Sequence, residues 1–319
     1  MFKKFSSGIL IIVLIALLAV YVIIRYTGSN DRSFKEKVLT FEPAAITGIT
    51  IKDPKSNLDP VELRLAGDRW MVKSGVKEYA ADTNTVKNLL NLLSDLPTKR
   101  YAGKGKDAWV KYEVTDTSGT LVTLKSSGKT VAELLIGKFS YNMPKDQQQQ
   151  MQYRQQKGDM TSFVRLADEK DVYAVDGYLK MSFSGKPETY RIRSITGVNP
   201  SDITRLTVRQ PGIEKVLDNT SGKWMMNGMP VDSTSAVRYR SLVSRLTGTK
   251  FTEPEMVQSA PSYSLLIEGN NFSPVEIKAF PVADTNIAYV INSTANPESY
   301  FEGKTGGLFK RIWQDKILE

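Results

Sequence analysis

Two apolar periodicities alternate along this chain. The runs Ile46–Lys52, Val61–Leu65 and Arg69–Val72 are alternating or β-rich, as expected of strands with one face buried, and Gly67-Asp68 between the last two reads as a hairpin turn. From Thr83 the period changes. Val86, Leu89, Leu90, Leu92, Leu93 and Leu96 recur at helical spacing, with Asp82 placed to cap the helix and Pro97 to end it. Strand patterns return at Tyr112–Asp116, Leu121–Lys125, Val131–Ile136, Phe163–Ala167 and Val172–Val175, with Ser118-Gly119 and Ser127-Gly128 as hairpin loops. Tyr178–Phe183 closes the set as a helix or a last strand. One helix embedded among many strands predicts an α+β unit built on an antiparallel sheet.

The pattern then repeats. Ile46-Thr47-Gly48-Ile49-Thr50-Ile51 returns as Ile203-Thr204-Arg205-Leu206-Thr207-Val208, and Trp70-Met71 returns as Trp224-Met225. Asp82–Tyr101 aligns without a gap on Asp232–Phe251. A period of roughly 150 residues is that of a domain, not of a solenoid repeat. The second copy predicts strands at Ile203–Arg209, Glu214–Asp218 and Lys223–Asn227, a helix over Ser233–Leu246, and strands at Tyr263–Glu268, Val275–Phe280 and Ile287–Ile291. Lys304–Trp313 could add a terminal helix. The later half of this copy matches the first only loosely.

A third pattern precedes both copies. Phe5–Ile24 is uncharged, and twenty residues of helix span ~30 Å, the hydrocarbon thickness of a bilayer. Lys3 and Lys4 precede the run and Arg25 follows it. The run is longer than the apolar core of a cleaved signal peptide, and no small-x-small cleavage pair follows it. The expected organisation is a transmembrane anchor over 1–26, a stalk over 27–43, and α+β units over 44–190 and 191–319. A Gln-rich insertion at 140–160, too polar to pack, is expected to form a mobile loop. Cations after the run favour the body inside, but long domains translocate largely regardless of charge. The expected placement is the inner (cytoplasmic) membrane, single-pass, with the bulk of the chain periplasmic or otherwise extracytoplasmic.

Composition narrows the chemistry. The 319 residues include no cysteine and no histidine. Disulfides, thiol nucleophiles, cysteine-rich zinc sites and the commonest general base are therefore absent. Carboxylate catalysis and hard-cation sites survive this cut, but no calcium-loop spacing occurs, and the compact acidic turn Asp168-Glu169-Lys170-Asp171 reads as a solvated hairpin. Glu133 lies in an otherwise apolar strand, where alternation points it outward. Gly103-Lys104-Gly105-Lys106 lacks phosphate-loop spacing and reads as a loop. The net charge of +9 suits anionic lipid, glycan or cell-wall polymer, and no nucleic-acid-reading motif accompanies it. Trp70 and Trp224, at equivalent positions of the two copies, are core anchors first; stacking against a sugar ring is their functional alternative.

Several fragments together carry a family resemblance: Gly67-Asp68-Arg69-Trp70-Met71-Val72, the Ala81–Leu96 helix, Tyr112-Glu113-Val114-Thr115-Asp116, Glu133-Leu134-Leu135-Ile136-Gly137-Lys138, Phe163-Val164-Arg165-Leu166, and Val172–Gly177. This set resembles the family known as domain of unknown function 4340, best over residues 61–183. Where many members carry Tyr-Gly-Leu, this chain has Tyr112-Glu113-Val114. The resemblance implies one membrane helix ahead of an extracytoplasmic body and, for some members, genes beside ABC-type transporter components. It defines no catalytic residues.

These readings lead to a non-enzymatic membrane-anchored protein without cofactor or metal. It would contact lipid through residues 5–24 and a protein partner in the envelope, with an ABC-type transporter among the candidates. Its expected role is accessory or scaffold component of a membrane transport or envelope complex. Binding of envelope glycan or anionic polymer is the first alternative, and a carboxylate-dependent hydrolase the remote one.

Overall fold

The computed structural model describes residues 14, 16–19, 35–142 and 159–318. Two antiparallel nine-stranded sheets make up the body. The first comprises β1 (Gly48–Lys52), β2 (Val61–Ala66), β3 (Arg69–Ser74), β4 (Lys77–Ala80), β5 (Thr98–Lys104), β6 (Thr120–Ser126), β7 (Lys129–Asn142), β8 (Asp159–Leu166) and β9 (Asp171–Asp176). Helix α1 (Thr83–Ser94) joins β4 to β5, and the short helices α2 (Gly105–Lys111) and α3 (Leu179–Ser182) follow β5 and β9. The second comprises β10 (Ile203–Gln210), β11 (Ile213–Asp218), β12 (Met225–Met226), β13 (Met229–Pro230), β14 (Phe251–Thr252), β15 (Tyr263–Gly269), β16 (Val275–Pro281), β17 (Tyr289–Ser293) and β18 (Asn296–Glu302). Helix α4 (Ser233–Val243) joins β13 to β14, and α5 (Leu308–Trp313) lies near the C-terminus.

Strand order is the same in both sheets: β4-β3-β2-β1-β6-β7-β8-β9-β5 and β13-β12-β11-β10-β15-β16-β17-β18-β14. The duplication therefore extends through the later half of the second copy, where the sequence match fades. Each principal helix begins as its sequence predicts. The Asp82 carboxylate accepts from Thr85 N at 2.7 Å, and the Asp232 carboxylate accepts from Ser235 N at 2.7 Å. Val86, Leu89, Leu90 and Leu93 turn the buried face of α1 onto Ile49, Ile51, Leu63, Leu124 and Val164 of its sheet. In the second unit Ala236, Tyr239 and Val243 do the same against Leu206, Leu217, Ile267 and Ile277. A smaller cluster of Tyr112, Val114, Leu135, Phe163, Val172 and Ala174 packs separately, with α2 residues Ala108 and Trp109 against it.

Several expectations change. Tyr112–Asp116 is no strand: Glu113 has a left-handed φ of 56°, and the chain turns there. Gly103–Lys106 is the junction of β5 and α2, not a loop. β4, β5, β9 beyond Val175, and β18 add pairing that the patterns leave unassigned, and Lys223–Asn227 shortens to β12. Part of the expected stalk is built into the first unit. Val38 N donates to Leu96 O at 3.2 Å, and Val38 and Leu39 are buried in its core. The second unit repeats this lead-in with Ile195 N to Leu246 O at 2.8 Å. No helix among the described residues is long and apolar enough to cross a membrane, and the expected span Phe5–Ile24 lies outside them except for residues 14 and 16–19, which are helical. Most of the Gln-rich segment also lies outside them, while its ends belong to β7 and β8.

The departure at Glu113 has a measurable consequence. A left-handed backbone costs a β-carbon-bearing residue roughly 1–2 kcal/mol, and glycine escapes that cost. Glu113 also pairs with Lys55 at 2.8 Å, an exposed contact of small worth. Glu113→Gly and Glu113→Ala both lose the pair, so their difference isolates the backbone. The glycine variant is expected to be the more stable of the two by about 1 kcal/mol in denaturant titration.

Candidate functional site

Trp70 and Trp224 lie in separate cores, one per unit, each only 5 % exposed. Neither offers an open ring face to a polymer. Trp70 does border a cavity of about 500 Å³. Its floor is apolar, from Pro43, Ile46, Leu65 and Leu90, and its rim carries Glu42, Asp68 and Lys87. The short helical turn Pro43–Ala45 supplies one wall, the β2–β3 hairpin the second and α1 the third. Thr83 and Asn91 also line it and it opens to solvent, with a volume in the range of a small organic ligand.

The two copies differ at this place. Leu90 and Arg240 occupy matching positions, eight residues beyond their helix caps. Arg240 Cζ lies 5.5 Å from the centroid of the Trp224 ring, within cation–π range, and its buried Nε has no hydrogen-bond partner. Asp68 in the first hairpin turn is matched by Gly222 in the second, and Arg69 by Lys223.

The other acidic candidates are occupied. Glu169 pairs with Lys35, Asp171 lies 3.7 Å from Lys104, and Glu133 accepts from Thr123 Oγ1 at 3.1 Å. Burial, with Glu169 and Asp171 nearby, pushes the Tyr173 phenol up to about 12. Among the described residues no group of three or more acidic side chains converges as a metal site. A cavity of about 680 Å³ lies where the lead-in Lys35–Thr40 crosses β7 and the acidic turn. Arg165, 3 % exposed, closes that turn by donating to the carbonyls of Val114, Leu166, Ala167 and Glu169, with its guanidinium 4.0 Å from the Trp109 ring.

The seam between the units turns on a residue that no sequence pattern singles out. Tyr190 is sealed in the first core and Ile195 in the second, so the chain crosses at residues 191–194. Arg191, 6 % exposed, lies 3.5 Å from the Tyr79 ring of β4 and 3.9 Å from the Phe251 ring of β14. Its Nη2 donates to Ser299 Oγ of β18 at 3.4 Å, while its buried Nε lacks a partner. Burial lowers its pKa, with Tyr79, Glu188 and Glu253 partly restoring it. Lys77 and Glu253 form an ion pair across the same seam. The β4 edge is thus turned toward the β14 edge. The outer edges are poor templates for strand addition: β5 carries two register shifts and three cations, and β13 is two residues long with a proline.

The model of the family described as domain of unknown function (DUF4340) matches residues 154–265. That segment is similar to DUF4340. The DUF4340 match is centred later than the resemblance over 61–183 suggests. It takes in β8 and β9, the crossing at Arg191, and the second unit through Leu265 of β15. No curated protein matches the chain, and no solved structure does. Within the DUF4340 segment lie Arg191, Phe251, Trp224 and Arg240, whereas the Trp70 cavity precedes it.

At the C-terminal end, Arg238 of α4 holds Asp315 through two bonds of 2.8 and 2.5 Å, and Asp315 is nearly buried. The hydrogen bond from Arg238 keeps this carboxyl below its usual range. A depressed folded-state pKa adds stability above the unfolded value of ~3.9, and that stability is lost as pH falls through the lower folded value. Acid titration is expected to destabilise the second unit below about pH 4, and Asp315→Asn to flatten that limb of the curve.

Proposed function

We propose that this chain is a non-enzymatic, membrane-anchored protein whose two-unit body serves, outside the cytoplasmic membrane, as a scaffold or accessory component of a membrane transport or envelope complex. The observation that carries this reading is the shortness of the tether. The uncharged run ends at Ile24, and by Val38 the chain is already in the first core. The intervening residues, about 13, reach no more than ~45 Å even when fully extended. An anchored body would therefore stay close to the bilayer, within reach of other membrane components. The cross-unit stack at Arg191 and the blunted outer edges suit a body that presents preformed faces in preference to one that adds strands.

The test is crosslinking in cells followed by mild-detergent purification of the full-length protein and mass spectrometry of its companions. Stoichiometric recovery of transporter or envelope-machine subunits is the expected result. Recovery of this chain alone would remove the accessory role.

A further inference from the structure

We propose that the Trp70 cavity of the first unit is a binding site for a small organic cation, a guanidinium or ammonium group on a short apolar stem. The second copy shows what this framework accepts. There the matching helix position supplies Arg240, whose guanidinium lies 5.5 Å from the Trp224 ring centroid, so that unit carries its own cation against the indole. The first copy has Leu90 at that position and leaves about 500 Å³ beside Trp70.

The rim of the first copy also gains acid. The turn position that is Gly222 in the second unit is Asp68 in the first, beside Arg69 where the second has Lys223, and Glu42 joins Asp68 on the rim. Neither carboxylate is ion-paired among the described residues. Lys87 is the one opposing charge on the rim; all three groups are exposed and screened alike, and the two carboxylates leave the rim with a net negative charge. An entering cation would meet two carboxylates at the mouth, an apolar floor for its stem, and the indole that accepts a cation in the sister unit. A neutral ligand of the same shape would gain only the floor.

The site can be read directly because the chain has four tryptophans, Trp70, Trp109, Trp224 and Trp313. Full-length protein in detergent, labelled with 5-fluorotryptophan, is titrated with n-butylguanidinium and with the neutral n-butylurea, and fluorine resonances are assigned by single Trp→Phe changes. The expected result is a saturable shift of the Trp70 resonance alone, at least tenfold weaker for the urea. Leu90→Arg places a guanidinium where the second unit has one and is expected to abolish the shift. Asp68→Lys, at an exposed turn that does not threaten folding, is expected to weaken it at least threefold. An unmoved Trp70 resonance, an equal response to the urea, or an Asp68→Lys variant that binds as the parent does would each overturn the proposal. The unaffected resonances of the other three tryptophans report that each variant is folded.

Discussion

Gly137→Ala is expected to cost more than ~3 kcal/mol, at the far end of single-substitution effects. Gly137 lies in β7 at a register shift, where the strand passes the turn after α2 and Lys138 N donates to Tyr112 O at 2.9 Å. A β-carbon there would lie 2.1 Å from the Tyr112 carbonyl oxygen and 2.6 Å from Val114 Cγ1. The first obstacle is backbone, which cannot rotate aside as a side chain can, and the second belongs to a fully buried residue. The strand must separate from the turn, taking with it the small cluster under α2. Calorimetry is expected to show the first unit melting well before the second, while the parent chain melts later and more cooperatively. The same glycine lies in the Glu133–Lys138 fragment of the sequence resemblance, and the close approach gives a physical reason for glycine at that position.

Arg191→Ala is expected to separate the two units energetically. The guanidinium is shielded from water and stacked between Tyr79 and Phe251, contacts worth up to ~2 kcal/mol each when desolvated. Alanine leaves a void between the rings as well. The burial that holds the stack together also penalises the charge, which has no carboxylate bonded to it and an unpartnered Nε. Arg191→Met, similar in length and uncharged, is therefore expected to recover much of the loss. Arg191→Lys is not, because an ammonium cannot lie flat between two rings. Differential scanning calorimetry distinguishes these cases: a transition split into two for alanine and lysine, and a closely coupled pair for methionine.

Much of this architecture was legible in the residues. The helices α1 and α4 follow from their Asp caps and apolar spacing, and the duplication from an ungapped match that includes both. The edge strand β5 was not legible, since Thr98-Lys99-Arg100-Tyr101 is polar and its pairing to β9 is interrupted by two register shifts. β5 is exposed along most of its length and so lacks the one-sided burial that writes a period of two into sequence. Tyr112–Asp116 misled because aromatic and β-branched residues also fill a turn that is packed from one side. Arg191 could not be found by pattern, since its role depends on rings contributed by Tyr79 and Phe251 from different units. The contrast at the tryptophan sites was available, however. The ungapped alignment sets Leu90 against Arg240, and only the packing of both against an indole gives that difference a meaning.

Anchoring and sidedness are the claims on which the functional account rests, and the absence of cysteine makes them directly measurable. Val76, at the β3–β4 turn, is 97 % exposed, so Val76→Cys adds a single reactive thiol at little cost to folding. Cells expressing this variant, with the outer layer made permeable and the cytoplasmic membrane intact, are treated with a membrane-impermeant maleimide. The account predicts full labelling under these conditions, and loss of membrane retention when residues 1–26 are removed. Labelling that appears only after the cytoplasmic membrane is broken would place the body inside the cell and contradict the account.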